Sequence, residues 1–100
     1  MVIAASGEID MATAGLLAGS VEDAIGRGAA DVWVDLSQVR FMDSSGVHVL
    51  VDARARAADL NRRLRVICPP GEPRRVLELT GVSALFGVAT SRAAAHQASW

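Results

Sequence analysis

One hundred residues, 51% of them apolar and 21% charged, suffice for one soluble core and are too hydrophobic for a disordered chain. A net charge of −1 argues against direct, nonspecific binding of nucleic acid. No apolar run approaches the length of a bilayer span, and the opening Met1-Val2-Ile3-Ala4-Ala5 lacks the basic flank of a leader. The chain therefore reads as a single cytoplasmic domain over 1–100, with no membrane insertion.

A short apolar run over 2–6 is the first strand, ended by Gly7. Asp10 then precedes a helical pattern that places Ala14, Leu17, Val21, Ala24 and Ile25 on one face, closed by Gly26 and Gly28. Residues 32–36 are apolar on both faces apart from Asp35, the signature of an interior parallel strand that also buries Trp33. A second helix runs over 44–61, a third strand over 65–68, and Pro69-Pro70-Gly71 ends it. Pro73 suits the first residue of a third helix that stops at Thr80-Gly81. Residues 85–89 read as a fourth strand and 92–100 as a last, alanine-rich helix. Strands alternating with helices at this spacing predict an α/β sandwich with a mainly parallel sheet.

The second helix opens on Asp43-Ser44-Ser45-Gly46, directly after the interior strand. A serine is thus presented at a helix N-terminus, where free backbone N–H groups and the positive dipole end favour a negative oxygen. Three readings follow: a helix cap, a nucleophile, or a phosphorylation switch. No Glu or Gln stands three residues after either serine, so no capping box accounts for the pair. At 100° per residue Gly46, Val49, Leu50, Ala53, Ala57, Leu60 and Leu64 form one stripe, the expected core face. The opposite face then carries Ser44, Val47, His48, Val51, Ala55 and Ala58, which predicts an exposed apolar docking patch beside the serine.

Other chemistry is sparse. Ser44 and His48 share a helical face, with Asp10, Asp35 and Asp43 as distant acid candidates, but a histidine one turn along from a cap serine is badly directed to deprotonate it. The G-x-S-x-G elbow is absent, so no catalytic residue is assigned. His48 and His96 have no metal-ligand spacing, and Gly26-Arg27-Gly28 follows a helix instead of opening one, so neither metal nor cofactor is expected. The single Cys68 can form no internal disulfide and reads as a buried thiol. Charge is unevenly divided: residues 1–52 carry eight acids against Arg27 and Arg40, and residues 53–100 carry eight arginines against Asp59, Glu72 and Glu78.

Gly7-Glu8-Ile9-Asp10, the run from Val34-Asp35-Leu36 through Phe41-Met42-Asp43-Ser44-Ser45-Gly46, and Leu79-Thr80-Gly81-Val82 together resemble the STAS domain. Within that family they are most similar to bacterial anti-sigma-factor antagonists. The resemblance implies a mixed, mostly parallel sheet flanked by helices, and a non-enzymatic regulator of transcription, stress responses included. Such a regulator binds a serine-kinase anti-sigma factor and frees a sigma factor. The kinase would phosphorylate Ser44, with Ser45 as the neighbouring choice, and a serine phosphatase would reverse it. Asp10, Asp43, Ser44, Ser45, Gly46, Val47, His48 and Val51 would form the partner surface. The alternative within the fold is a scaffold or accessory subunit, of a stressosome or a lipid-transport ATPase, without a phospho-switch. The family's usual strand ahead of the one entering the Gly-Glu-Ile-Asp turn has no counterpart here, which predicts an exposed sheet edge, a feature able to promote self-association.

Overall fold

The computed structural model describes residues 1–97. Three strands, β1 (Val2–Ile9), β2 (Asp31–Met42) and β3 (Arg63–Ile67), lie side by side in that order and pair in parallel. Parallel neighbours require long crossovers, supplied by α1 (Ala14–Gly26) between β1 and β2 and by α2 (Ser44–Asp59) between β2 and β3. Three shorter helices follow, α3 (Glu72–Leu79), α4 (Ser83–Phe86) and α5 (Arg92–Gln97). The α/β class read from the alternation stands, and every strand pairing among the described residues is parallel.

The sheet has two unequal faces. One carries Ile9, Val32, Val34, Leu36, Leu64 and Val66 into a core that α1, α2, α3 and α4 cover. The other carries Trp33 and Ile67, which cluster with Ala95 and Ala89. Val32, Val34 and Leu36 on one side and Trp33 and Asp35 on the other are all buried, as an interior strand requires.

Both early strands outrun their apolar cores. β1 continues through Gly7, whose positive φ of 80° accompanies a register shift against β2, and reaches Ile9 opposite Met42. β2 passes through the exposed Ser37 and Gln38 and re-enters the core at Val39 and Met42. Sequence periodicity stops at such polar interruptions, whereas backbone pairing does not.

Residues 85–89 are not a strand. Val82 to Phe86 form a turn and α4, Phe86 is fully buried as a plug, and Gly87 adopts the left-handed conformation at φ 53° and ψ 56°. That one residue redirects the chain, so only a single bridge survives, Ile67 with Ala89. The final helix begins at Arg92 as expected; the part of that expectation covering residues 98–100 lies outside the described residues.

The α1 stripe is as its periodicity predicts, with Ala14, Leu17, Val21, Ala24 and Ile25 all buried. In α2 the phase is different. Gly46, Leu50, Ala53 and Ala57 are buried as expected, but Val47 is buried too, Val49 is only half-buried and Leu60 is 45% exposed. Leu64 is core, but from β3. Val47, Val51 and Arg54 recur at i, i+4 and i+7, one helical stripe, and Arg54 Nε donates to the Leu85 carbonyl at 2.8 Å. The segment of α3 and α4 therefore lies along this side of α2 and buries what a single-sided helix would expose. The opposite flank meets α1, where Arg56 Nε contacts Glu22 Oε2 at 2.8 Å.

Candidate functional site

Two tight turns stand together at the C-terminal edge of the sheet. The β1 turn is built on Asp10, whose Oδ1 accepts from the N–H groups of Ala12 at 2.9 Å and Thr13 at 3.1 Å. Thr13 Oγ1 accepts from the Asp10 N–H at 3.0 Å and donates to the Glu8 carbonyl at 2.8 Å, closing the loop on itself. The β2 turn is built on Asp43, in extended conformation at φ −105° and ψ −170°, whose Oδ1 caps α2 through the Ser45 N–H at 2.8 Å. The Asp43 N–H donates to the Ile9 carbonyl at 3.1 Å and binds the two turns to each other.

Ser44 is the first residue of α2 and is exposed; Ser45 is half-buried and its N–H is the one that Asp43 caps. The cap belongs to Asp43, so the Ser44 hydroxyl is available for another role. Gly46 allows this placement. A Cβ there would lie 2.6 Å from Met42 Cγ and 2.9 Å from Ile9 Cγ2, so only glycine lets the helix start rest on the ends of β1 and β2. Both of those side chains are buried.

The structure brings Asp10, Asp43, Ser44 and Ser45 into one surface region, buries Gly46 beneath it, and leaves His48 exposed one turn further along α2. It does not bring Val47 and Val51 there as an exposed patch. Val47 is core at 4% exposure and Val51 is half-buried against the core, so the expected docking face is corrected. The outward side of α2 is Ser44, His48, Asp52, Ala55 and Asp59, all exposed and mainly polar. The most exposed apolar group at this end is instead Met11, 86% accessible in the Asp10 turn. Periodicity cannot find it, because a turn residue belongs to no stripe.

Asp35 is no part of this surface. It is buried, and its Oδ1 accepts from the Ser37 N–H at 2.9 Å and from the Ser37 hydroxyl, while Oδ2 meets Arg92 Nε at 2.6 Å. Burial alone would raise its pKa, but the bonds from Ser37 and Arg92 outweigh it and hold the carboxyl below its ordinary value. That pair ties α5 to the second face of the sheet. Burial likewise pushes the Cys68 thiol up to about 11, which leaves it protonated and unreactive. Among the described residues no cluster of His, Cys, Asp and Glu could hold a metal, and no helix is long and apolar enough to cross a membrane.

Comparison with known proteins bears on the family and the fold. The STAS domain family model matches residues 1–95. The fold is similar to an anti-sigma factor antagonist from Mycobacterium paratuberculosis, with TM-score 0.83 and 28% identity, over 90% of this chain and 76% of that one. It is similar to the anti-sigma factor antagonist SpoIIAA in its unphosphorylated form, with TM-score 0.77 and 25% identity, over 96% of this chain and 84% of that one. SpoIIAA of Bacillus in its phosphorylated form also aligns, with TM-score 0.69, 25% identity and coverage of 96% and 87%. A sulfate transporter family protein from Wolinella succinogenes shares the fold alone, at 18% identity, TM-score 0.75 and coverage of 95% and 81%. No curated protein matches the chain in sequence.

Proposed function

Because this chain belongs to the STAS domain family, we propose that it is an anti-sigma factor antagonist switched by phosphorylation of Ser44. Unmodified, it binds a serine-kinase anti-sigma factor in the cytoplasm and releases a sigma factor; a serine phosphatase restores it after modification. It catalyses nothing itself. The observation that carries the reading is the exposed Ser44, placed first in α2 with its capping duty taken by Asp43. The likeness to antagonists at 28% and 25% identity, one of them solved in a phosphorylated form, supports it.

The physics of the switch is local. A phosphate at a helix N-terminus is well accommodated, so modification leaves the fold intact. It adds about −1.5 to −2 charges beside Asp10 and Asp43, where a partner docking on Met11 and the two turns must desolvate them. Repulsion and desolvation at the interface release the partner. His48 lies on the same outward side of α2 and extends the contact surface.

The test is phosphorylation by the cognate kinase with ATP, followed by peptide mapping. One phosphate on Ser44 is expected, and a phosphate on Thr80 or Ser91 would refute the switch. Ser44→Ala should bind the kinase with or without ATP, Ser44→Asp should fold but bind more weakly, and equal affinity of both with the phosphorylated protein would reduce Ser44 to a plain helix residue. A partner without kinase activity and a serine that is never modified would favour the scaffold or accessory-subunit reading.

A further inference from the structure

The sheet ends on β1, which pairs with β2 alone. The outer edge of β3 is closed in part, because the Ala89 N–H donates to the Val66 carbonyl at 2.9 Å and the Cys68 N–H to the Ala89 carbonyl at 2.8 Å. On β1 the carbonyls of Met1 and Ile9 both accept from the β2 side, from the N–H groups of Trp33 at 2.8 Å and Asp43 at 3.1 Å. Backbone groups alternate sides along a strand, so those of Val2, Ala4, Ser6 and Glu8 face outward. The Glu8 carbonyl fits this phase, since it accepts from Thr13 Oγ1 at 2.8 Å. Val2, Ala4 and Ser6 are left with their N–H and C=O groups turned to the open edge.

Little along this edge blunts it. Residues 2–7 are Val-Ile-Ala-Ala-Ser-Gly, without the charge or proline that keeps an edge strand from pairing. The register shifts against β2 put their extra residues in β2, where Ala4 to Ser6 spans Asp35 to Gln38 and Gly7 to Glu8 spans Val39 to Phe41. β1 therefore keeps its own alternation: Ile3 and Ala5 are half-buried on the core side, and Val2, Ala4 and Ser6 are exposed on the other. Beside the edge runs a groove of about 220 Å³ between β1 and α1, lined by Ile3, Ala5, Ile9, Leu17 and Leu16, the last an apolar side chain left 75% exposed.

We propose that β1 is a self-pairing edge, and that two copies of this chain join β1 to β1, antiparallel, about a two-fold axis at Ala4. In this register Val2 faces Ser6 of the second copy and Ala4 faces Ala4, so every outward N–H and C=O of the three residues finds a partner. Ile3 of each copy meets Ala5 of the other on the core side, beside the groove that Leu16 lines. Glu8, engaged by Thr13, falls beyond the pairing. The two Glu8 residues then stand about 27 Å apart along the strands, and no like charges meet. An antiparallel pair is isologous and closes at two copies. The strand and Leu16 offer about ten residues a side, against roughly 20–30 in a standard interface, which sets a reversible dimer with a Kd of about 10–100 μM. The Asp10 turn lies about 20 Å along the strand from the axis, so both surfaces about Ser44 stay open and the inference stands whatever becomes of the phospho-switch.

The test is sedimentation equilibrium of the full chain from about 1 μM to about 1 mM. A monomer–dimer equilibrium is expected. Ala4→Lys and Ala4→Glu each set like charges opposite one another at the axis and should each weaken it at least about fivefold. Mixed in equal amounts, the two variants should recover a heterodimer, because opposite charges then meet. Leu79→Ser, which removes an exposed apolar group on α3, should leave dimerisation unchanged. Should either Ala4 variant misfold by circular dichroism, Ala4→Cys decides: oxidation should link two copies through residue 4, whereas Glu8→Cys should stay unlinked, Cys68 being buried in both. Monomer alone throughout, growth beyond the dimer, equal weakening by Leu79→Ser, no recovery on mixing, or linking at residue 8 as readily as at residue 4 would each overturn the proposal.

Discussion

Gly46→Ala isolates the contact that seats Ser44 at the start of α2. Alanine normally stabilises a helix interior by about 1 kcal/mol over glycine. At this position the new methyl would lie 2.6 Å from Met42 Cγ and 2.9 Å from both Met42 Sδ and Ile9 Cγ2. Non-bonded carbons prefer about 3.5–4.0 Å, so the closest overlap is on the order of 1 Å. Met42 and Ile9 are 1% and 4% exposed and cannot swing into solvent, so either the core repacks or the first turn of α2 lifts off the sheet. Overpacking of this kind costs about 1–3 kcal/mol, and the net expectation is a loss of up to about 2 kcal/mol, or very roughly up to 15 °C in Tm for a domain of this size. Gly19→Ala is the matched control: Gly19 lies in α1 with nothing within 4 Å of the added methyl, and should gain the helix-propensity increment in full. Urea unfolding followed by circular dichroism gives both midpoints, with equal slopes certifying that stability alone has changed. The two substitutions should move the midpoint in opposite directions. A stabilised Gly46→Ala protein would refute the close approach of α2 to the strand ends, and with it the placement of Ser44. If the helix start lifts, the rate of Ser44 phosphorylation should fall as well.

Val47→Asp should unfold the protein about as badly as Leu50→Asp, by more than ~3 kcal/mol, because both bury an unpaired charge, whereas His48→Asp should leave urea stability nearly unchanged. The depressed Asp35 carboxyl contributes stability that is present above its unfolded value of about 3.9 and is lost as pH falls through its lower folded value. Asp35→Asn should flatten that acid limb in a stability–pH series, and Arg92→Ala should cost about 2 kcal/mol at neutral pH by removing a charge-assisted bond to a buried carboxylate. Cys68 should resist a thiol reagent at pH 8 until urea unfolds the chain. From its ordinary value of 9.0 up to about 11 its contribution falls as pH rises, since the unfolded thiol ionises first, and Cys68→Ala should remove that alkaline slope.

Features governed by neighbours along the chain are legible in the sequence itself. The α1 stripe, the cap at Asp43, the interior strand about Val34 and the helix stop before Gly81 rest on side-chain period and on backbone preferences that act over a few residues. The Asp-Ser-Ser-Gly run is of this kind, and so the candidate site's address can be read directly. What surrounds that address cannot. Val47 is core because α3 and α4, far along the chain, lie against a flank that helical period alone leaves to solvent. Asp35 is held by Arg92 from 57 residues away. Residues 85–89 have the composition of a strand, yet burial of Phe86 and the left-handed turn at Gly87 are more favourable than pairing in a row. A groove lined by Arg54, Arg62, Arg63 and Arg65 draws on α2, β3 and the α4 segment at once, and the sequence carries only its trace, an excess of arginine in the second half. Local preferences select each element and one buried face; the number of flanks a helix buries, and the charges that meet between elements, depend on long-range packing that periodicity does not encode.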